Sequence, residues 1–371
     1  MKVLFAGGGT AGHINHALAI AGFIRKKDPS AEILFVGNKG GMEETLVPKA
    51  GFEMKFISIS GFRRSMKPSA FVHNVQTFNK TFSSSKTAKT IIEEFDPDIC
   101  VGTGGYVSGP VLRTAAKLGY PIVIHEQNAY PGVTNKMLAR YAKRVMLAVG
   151  DAEKYFEGKA RCAITGNPVR AEIIEADKAK ARAELGVDER PLVLSFGGSL
   201  GAQKINDTVA GLLARSGNDG AYQHIHGYGR YAPHYPDLLK EKGADIRYCD
   251  NLDIREYIDN MATCMAACDL VISRAGAITL SEIQAMGKPA VLIPSPNVAE
   301  NHQYHNAMAL VNNGAAEIIE EKDLTEELLM EKVDSLLRNP QKLREYSENS
   351  RKMAIVDAND RIYHVIRQVL K

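Results

Sequence analysis

The sequence predicts an α/β protein built from two doubly wound parallel sheets. Short apolar runs alternate with amphipathic helical segments along the 371 residues, which is the pattern of parallel strands joined by helical crossovers. The pattern G-G-[ST]-x-G occurs at 8–12 and again at 197–201, each time after an apolar strand and before a helix. Because these stretches lie about half a chain apart, they indicate two similar domains.

The strand candidates fall into two sets, and we expect each set to form one sheet. Turn signals and a charged helix over 166–191 mark the crossing point between the sets. The tail over 361–371 is one more amphipathic helix. The first set covers residues 2–6, 32–36, 56–59, 98–103, 121–126, 144–148 and 162–166, and the second covers 192–196, 222–227, 246–250, 270–274, 289–294 and 315–319.

Composition narrows the class of protein. With 45% hydrophobic and 24% charged residues, the chain can bury a large core. The formal net charge of +3 is small for this length, so charge balance predicts no nucleic-acid partner. The chain starts as a strand rather than as a signal peptide, and it has no run of about 18 apolar residues. We therefore expect any membrane contact to be peripheral.

Five cysteines, an odd number scattered along the chain, fit reduced thiols better than a disulfide framework. Cys264 and Cys268 are one helical turn apart, but no second pair of Cys or His accompanies them. A zinc site is therefore not expected.

The first glycine loop permits a dinucleotide site, because Gly7, Gly9 and Gly12 have the spacing G-x-G-x-x-G between a strand and a helix. That fingerprint also needs an acid at the end of the second strand, where this chain has the residues Gly-Asn-Lys at 37–39. The missing acid argues against a nicotinamide-dependent oxidoreductase.

Two further glycine loops, at 102–109 and 197–202, also follow predicted strands. Glycine lets backbone N–H groups approach an anion, and the N-terminus of the following helix adds a favourable dipole. These loops are tight turns at the least. Three of them at the carboxyl ends of strands favour a ligand that contains phosphate.

Seven segments, in this order and over nearly the whole chain, resemble the MurG family of UDP-N-acetylglucosamine transferases. They are GGGTAGH, GTGGYVSGP, HEQNAYPGVTNK, TGNPVR, GGSLGA, SRAGAITLSE and HQYHNA. The resemblance implies the GT-B architecture, in which two doubly wound Rossmann-like domains face a deep cleft. It implies an acceptor- and membrane-facing domain over 1–165, a UDP-GlcNAc-binding domain over 166–354, and a C-terminal helix, about 355–371, that packs back on the first domain.

The same resemblance implies an inverting glycosyltransferase at the cytoplasmic face of the bacterial membrane. It would move N-acetylglucosamine from UDP-GlcNAc to the 4-hydroxyl of the muramyl sugar of lipid I, giving lipid II. No metal or cofactor is expected, and other cell-wall synthesis proteins are candidate partners. A related GT-B transferase with another lipid acceptor, such as diacylglycerol, and a non-catalytic module that binds nucleotide sugars remain as alternatives.

His13 is the leading candidate for the general base that takes the proton of the acceptor hydroxyl, since a free imidazole titrates near neutral pH. Glu126 is the competing base or an orienting group, and the sequence does not decide between them. By resemblance, the loop residues Thr10, Ala11 and Gly12 also bind substrate.

On the donor side, the resemblance places Glu282 on the ribose hydroxyls, and a carboxylate suits paired hydroxyls because it accepts two hydrogen bonds. Ile258 would meet uracil through its backbone, and Arg170 and Arg274 are cations near the nucleotide and diphosphate. Either arginine could instead form a salt bridge at the domain interface. The remaining candidates are Ser199, with donors for the charge that develops on UDP; Ala277, Ile278, Thr279, Leu280 and Ser281, which line the nucleotide sugar; and Asn128 and Gln303, whose amides suit sugar hydroxyls.

The first loop departs from the family pattern at two positions. Ala11 stands where the family has glycine, and an alanine strains the loop if that position needs a positive φ. His16 stands where the family commonly has proline, and we expect it on the helix surface.

The segment 54–92 contains no Asp or Glu, whereas seven Lys and Arg fall inside it. An aromatic and aliphatic stripe recurs there at helical spacing. Such a stretch suits docking on anionic lipid, although the stripe could instead pack on the sheet. The basic residues beyond position 60 are Arg63, Arg64, Lys67, Lys80, Lys86 and Lys89, and the stripe is Phe71, Val75, Phe78 and Phe82.

Overall fold

A computed structural model describes residues 1–59, 84–244 and 248–371 of the chain. It contains two compact units. Unit 1 comprises Met1–Pro168 and Asp357–Lys371, and unit 2 comprises Val169–Val356. Each unit has its own parallel sheet, as the two sets of strands predicted.

Unit 1 contains a seven-stranded parallel sheet in the order β3-β2-β1-β4-β5-β6-β7. Its central strands are buried on both faces and therefore read as almost continuous apolar runs. The strands are β1 Lys2–Gly7, β2 Glu32–Asn38, β3 Glu53–Ile57, β4 Ile99–Gly104, β5 Ile122–Glu126, β6 Arg144–Leu147 and β7 Cys162–Ile164.

The helices of unit 1 cover both faces of this sheet. They are α1 Ala11–Lys27, α2 Glu43–Lys49, α3 over 84–95, α4 Ser108–Lys117, α5 Val133–Leu138 and, at the end of the chain, α15 Ala358–Val369. Short 3-10 helices occupy Ala139–Tyr141 and Gly150–Tyr155.

The C-terminal helix α15 packs on unit 1. Ile362 and Ile366 are buried with Val3 and Phe5 of β1 in one apolar cluster. The Tyr363 ring meets the Phe23 ring of α1 edge-on, with centroids 6.2 Å apart. Burial of each such aliphatic side chain stabilises the fold by about 1.5–3 kcal/mol.

Unit 2 contains a six-stranded parallel sheet in the order β10-β9-β8-β11-β12-β13. The strands are β8 Leu192–Phe196, β9 Gln223–Gly227, β10 Leu252–Arg255, β11 Leu270–Ser273, β12 Ala290–Leu292 and β13 Ala316–Ile318. The helices are α6 Ala171–Ile174, α7 Lys178–Leu185, α8 Gln203–Asp219, α9 Tyr235–Glu241, α10 Met261–Ala267, α11 Ala277–Met286, α12 His302–Val311, α13 Glu326–Leu337 and α14 Pro340–Lys352, with 3-10 turns at Ala299–Asn301 and Glu321–Asp323.

Two predicted strands are displaced. The strand expected at 56–59 is β3, Glu53–Ile57, and the strand expected at 246–250 is β10, Leu252–Arg255. Both lie at an edge of their sheet, and all four residues of β10 are only half-buried. An edge strand has weaker apolar patterning than a central one, so its bounds are harder to predict.

Candidate active site

The strand order of each sheet reverses direction at one place, between β1 and β4 in unit 1 and between β8 and β11 in unit 2. Ligands of doubly wound sheets bind at such switch points, outside the carboxyl ends of the strands. The glycine loops follow β1, β4 and β8, and the segment 274–282 follows β11. The three glycine loops and the segment 274–282 therefore lie at the switch point of their own unit.

His13 lies in the first turn of α1, directly after the first glycine loop. Thr10 caps α1, and its Oγ1 accepts from the His13 backbone N–H at 3.4 Å. The His13 Nδ1 is 3.2 Å from the Gly8 carbonyl oxygen and 3.1 Å from Thr10 Oγ1. A carbonyl oxygen only accepts, so the contact with Gly8 assigns the proton to Nδ1 and leaves the lone pair on Nε2.

The second glycine loop packs directly on the first. A Cβ built on Gly105 would lie 2.0 Å from the Gly8 carbonyl oxygen, and one on Gly104 would lie 3.1 Å from the His13 ring. Both glycines have positive φ, +99° at Gly104 and +80° at Gly105. These two positions therefore need glycine for conformation as well as for space.

Ala11 does not strain the loop. Helix α1 begins at Ala11, directly after the Thr10 cap, and among the described residues positive φ values outside glycine occur only at Asp96, Glu300 and Asn301. The left-handed position of this loop is Gly9, with φ of +81°. The strain considered for Ala11 is thus absent.

His16 is buried, and its expected place on the helix surface was wrong. Its side chain is 2% exposed, with Nδ1 2.8 Å from the Gly12 carbonyl oxygen and Nε2 2.9 Å from Asn167 Oδ1. Burial lowers the pKa of His16 to about 4, against the effect of these two hydrogen bonds. His16 therefore stays neutral near pH 7.

Glu126 is 1% exposed and is held by four N–H groups. Oε1 accepts from the Asn128 backbone and Nδ2 at 3.0 and 3.1 Å. Oε2 accepts from the Gly132 N–H at 3.0 Å and from Asn135 Nδ2 at 2.8 Å. With both oxygens engaged twice, this carboxylate organises the loop that carries Asn128.

Sequence analysis missed the buried carboxylate of Glu43. The residue is 0% exposed, and it accepts from the Gly9 N–H at 3.4 Å and from the Asn38 N–H at 2.9 Å. A negative charge at this place opposes a dinucleotide pyrophosphate on the first loop. The signal in the sequence was the glycine pair Gly37 and Gly41 just before the glutamate.

In unit 2, a cavity of about 610 Å³ lies at the third glycine loop and the start of α8. Arg274 and Gln303 line it, together with Lys204, which sequence analysis did not single out. The N-terminus of the 17-residue α8 adds a positive dipole end. Ser199 lies in the same loop and is exposed. The cavity therefore offers several donors to an anion, beside the carboxylates of Asp207 and Glu321, which also line it.

Arg274 and Gln303 are both anchored in the wall of this cavity. The Arg274 guanidinium donates to the carbonyl oxygens of Ile293 and Pro294, at 3.2 Å each, and pairs with Glu321. Gln303 Oε1 accepts from the Ser295 backbone N–H at 2.8 Å. Arg274 thus pairs with an acid of its own unit, which differs from the domain-interface salt bridge considered for it, and its guanidinium still lines the cavity.

The structure brings Arg170 and Glu282 together. The Arg170 Nε donates to Glu282 Oε1 at 2.8 Å, and Arg170 Nη1 is 2.8 Å from Glu172 Oε1. Burial raises the pKa of the Glu282 carboxyl above its ordinary value, and the contact with Arg170 opposes that rise. Glu282 is 5% exposed on the second turn of α11.

The other donor-side candidates surround the carboxyl ends of the central strands. Ile258 is 5% exposed, and a Cβ on Gly227 of β9 would lie 2.9 Å from its Cδ1. Its side chain is thus fixed in the core. The residues Ala277, Ile278, Thr279, Leu280 and Ser281 form the first turns of α11, and Ser281 Oγ donates to the Ala277 carbonyl oxygen at 3.0 Å.

Most of the basic stretch and all of its apolar stripe lie in 60–83, outside the described residues. Only Lys86 and Lys89 of that set are described, on α3. In the described parts of the chain, no helix has the length and apolar character needed to cross a membrane. Within the same ranges, no three His, Cys, Asp or Glu side chains are grouped to hold a metal ion.

Two Rossmann-like units with glycine loops at both switch points, and a donor-lined cavity in the second, define a GT-B glycosyltransferase. Sequence profiles agree with this class: the glycosyltransferase family 28 N-terminal domain matches residues 3–147, and the C-terminal domain of the same family matches 192–362. The chain belongs to glycosyltransferase family 28.

Curated relatives match over the full length. A protein of Acetivibrio thermocellus is 44% identical over 372 residues, covering 100% of this chain and 99% of its own length. One of Thermoanaerobacter sp. is 45% identical over 370 residues, with 100% of both chains covered. Both are called UDP-N-acetylglucosamine–N-acetylmuramyl-(pentapeptide) pyrophosphoryl-undecaprenol N-acetylglucosamine transferase.

Solved structures give the same fold. The crystal structure of Acinetobacter baumannii MurG has a TM-score of 0.80 at 28% identity and covers 99% of both chains. The calicheamicin glycosyltransferase CalG4 has a TM-score of 0.72 at 14% identity, covering 100% of this chain and 98% of its own, which shows the fold alone. The predicted α/β class with two doubly wound sheets and the GT-B architecture is confirmed.

Proposed function

We propose that this chain transfers N-acetylglucosamine from UDP-GlcNAc to the 4-hydroxyl of the muramyl sugar of lipid I, forming lipid II for peptidoglycan synthesis. The observation that carries the proposal is the full-length similarity, at 44–45% identity, to relatives named for this transfer. The cavity at the third glycine loop supplies a site for the sugar donor. The His13 imidazole, directly after the first glycine loop, supplies a base.

The general base of this reaction is His13. The Nδ1 proton is held by the Gly8 carbonyl oxygen, so Nε2 carries the lone pair that accepts the proton of the acceptor hydroxyl. The hydroxyl oxygen then forms a bond to the anomeric carbon while the bond from that carbon to the phosphate breaks, with inversion. UDP leaves with the electron pair. Glu126, whose oxygens already accept four N–H groups, orients the neighbouring loop.

Unit 2 binds UDP-GlcNAc, the sugar donor. Negative charge develops on UDP as the glycosidic bond breaks, and donors fixed in advance stabilise it. Ser199 and the start of α8 supply such donors, and Arg170 adds a positive charge beside Glu282. The Glu282 carboxylate accepts the ribose hydroxyls, while the Ile258 backbone meets uracil. Ala277 to Ser281 line the nucleotide sugar.

Acceptor binding belongs to the N-terminal domain, 1–165, in which Thr10, Ala11 and Gly12 adjoin the base. The domain 166–354 binds UDP-GlcNAc, and the helix at about 355–371 belongs with the first domain. The amides of Asn128 and Gln303 contact hydroxyls of the donor sugar, because an amide both donates and accepts. Arg274 forms part of the wall of the cavity at the third glycine loop, where the diphosphate binds.

The decisive experiment measures transfer of labelled N-acetylglucosamine from UDP-GlcNAc to a lipid I analogue. We expect transfer by the wild type and a loss of at least about 100-fold in His13→Ala, which removes the base. His234→Ala is the matched control, since the His234 side chain is 92% exposed in unit 2. No transfer to lipid I, or transfer to diacylglycerol instead, would refute the proposal.

The acceptor carries a polyprenyl chain, so the enzyme works peripherally at the cytoplasmic face of the membrane. The basic segment 54–92 with its apolar stripe supports this placement. Binding to anionic vesicles should weaken with added salt and in the double variant Phe78→Asp plus Phe82→Asp. Tyr231→Asp plus Tyr248→Asp is the control, because these side chains are exposed in unit 2. Equal binding by both double variants would disprove docking through this segment.

A further inference from the structure

The Glu43 carboxylate occupies a space that three glycines leave open. A Cβ on Gly8 would lie 2.4 Å from its Oε1, and one on Gly41 would lie 2.6 Å from its Oε2. A Cβ on Gly37 would lie 2.6 Å from its Cγ. The carboxylate is fully buried at the first residue of α2. A charged side chain is rarely buried so completely unless it is paired or hydrogen-bonded.

The two oxygens of Glu43 hold two backbone N–H groups from different loops. Oε1 accepts from Asn38 at the end of β2, at 2.9 Å, and Oε2 accepts from Gly9 in the first glycine loop, at 3.4 Å. The Asn38 side chain in turn accepts from the Ile59 N–H at 2.9 Å. Glu43 therefore ties the loop after β1 to the end of the neighbouring strand.

The peptide group between Gly8 and Gly9 connects Glu43 to His13. Its N–H, on Gly9, faces the carboxylate, and its C=O, on Gly8, faces the His13 Nδ1 at 3.2 Å. The N–H and C=O of a trans peptide point in opposite directions, so one peptide plane lies between the two side chains. Hydrogen bonds in such a chain polarise one another.

We propose that Glu43 is a positioning residue that fixes the orientation and tautomer of His13 through the Gly8–Gly9 peptide. The proposal rests on the proposed function in that it takes His13 as the base. Gly8 and Gly9 have no Cβ, so their own backbone allows either orientation of this peptide, and the hydrogen bond to Glu43 selects the orientation in which the Gly8 oxygen faces the imidazole. A flipped peptide would present its N–H to Nδ1 and would favour the wrong tautomer.

The test replaces Glu43 with glutamine, which has a similar shape but one acceptor oxygen for two N–H donors. We expect kcat to fall about 10- to 100-fold while KM for UDP-GlcNAc stays within about twofold, because donor binding lies in unit 2. Glu44→Gln is the matched control, since Glu44 is exposed and accepts from the Gly40 N–H at 2.6 Å. A kcat of Glu43→Gln equal to that of the control contradicts the proposal.

A second readout follows the His13 ring directly by nitrogen NMR on protein labelled at histidine, with the signal assigned by its loss in His13→Gln. The wild type and Glu44→Gln should carry the proton on Nδ1, and Glu43→Gln should show a new population protonated on Nε2. An unchanged His13 signal in Glu43→Gln would overturn the proposal, even where kcat falls for another reason.

Folding and function are separated by two further measurements. UDP binding and the thermal midpoint report whether each variant is folded. If Glu43→Gln does not fold, Glu43→Asp takes its place. This variant keeps the carboxylate but shortens the side chain by one methylene. We expect the same change of tautomer in Glu43→Asp. Absence of transfer by the wild type would refute the proposed function alone, because the NMR result does not depend on turnover.

Discussion

Three buried carboxylates in this enzyme have different partners, and the partners limit what each can do. Glu126 accepts from four N–H groups and Glu43 from two backbone N–H groups. Glu282 instead shares one oxygen with the Arg170 guanidinium. The first two therefore act on backbone geometry, whereas the third is the one suited to meet ligand hydroxyls.

Replacement of Glu126 by glutamine should destabilise unit 1. The amide presents an NH2 group to two of the four N–H donors, and buried donors left without an acceptor cost about 1–3 kcal/mol each. We expect the free energy of unfolding in urea to fall by about 2–4 kcal/mol. Glu157→Gln, at an exposed position of the same unit, is the control. Wild-type stability of Glu126→Gln would mean that these hydrogen bonds are not formed.

Replacement of Glu282 by glutamine should weaken UDP binding by about tenfold, because a hydrogen bond to a charged group contributes about 1.5–3 kcal/mol. Calorimetry with UDP and with 2′-deoxy-UDP locates the effect on the ribose. The wild type should prefer UDP, and Glu282→Gln should bind the two nucleotides almost equally. Glu172→Gln, which changes the other carboxylate beside Arg170, should keep the preference. Retention of that preference in Glu282→Gln would place the ribose elsewhere.

At the scale of elements, the interior strands were predictable, whereas two of the four edge strands, β3 and β10, were displaced from their predicted bounds. Strands β1 and β8 match their predicted bounds within one residue, because both faces are buried and every residue except Lys2 is apolar or small. The edge strands β3 and β10 are partly exposed, so several registers fit their patterns equally well.

The glycine loops were predictable from local sequence, but their buried partners were not. His16 meets Asn167, which is 151 residues away along the chain. Glu43 meets Gly9 at a separation of 34 residues. Contacts of this kind depend on which strands become neighbours, and periodicity carries no information about them. The sequence therefore predicted the glycine loops but not the long-range contacts of His16 and Glu43 beside the first of them.

The first glycine loop offers a test with two neighbouring residues. Gly9 has φ of +81°, and its Cβ would lie 2.6 Å from the Tyr106 ring, so Gly9→Ala should displace the peptide that faces His13. We expect kcat to fall at least about tenfold, since a small displacement of a catalytic group is costly. Ala11→Gly should keep kcat within about twofold and lower stability by at most about 1 kcal/mol, because Ala11 is already helical. Comparable kcat losses in the two variants would show that Ala11 shapes the loop after all.

At the scale of the whole molecule, each unit buries two neutral histidines among the residues that the structure describes. His16 and His125 lie in unit 1, and His224 and His226 lie in unit 2 on either side of Ser195 Oγ, which is 2.7 Å from each. Burial lowers the pKa of His16 to about 4 and that of His125 and His226 to about 3. Burial also lowers the pKa of His224 well below its ordinary value. The folded state of both units therefore contains buried imidazoles that are uncharged near pH 7.

This burial makes stability depend on pH in a defined direction. In the unfolded chain these histidines bind protons below about pH 6.5, whereas in the folded chain His16 does so only near pH 4. The unfolded state thus binds more protons between these values, and the free energy of unfolding decreases as the pH falls through this window. From pH 7 to pH 5, His16 alone should account for about 2 kcal/mol.

Urea unfolding at about pH 7, 6 and 5 tests this dependence, with the carboxylates ionised over most of the range. Between pH 7 and pH 5, we expect the free energy of unfolding of His16→Gln to fall by about 2 kcal/mol less than that of the wild type. His234→Gln removes a histidine whose side chain is 92% exposed and should leave the dependence unchanged. The comparison uses the difference across pH within each variant, so the loss of packing at position 16 cancels. Equal pH dependence in His16→Gln and the wild type would show that His16 is protonated in the folded enzyme as readily as in the unfolded chain.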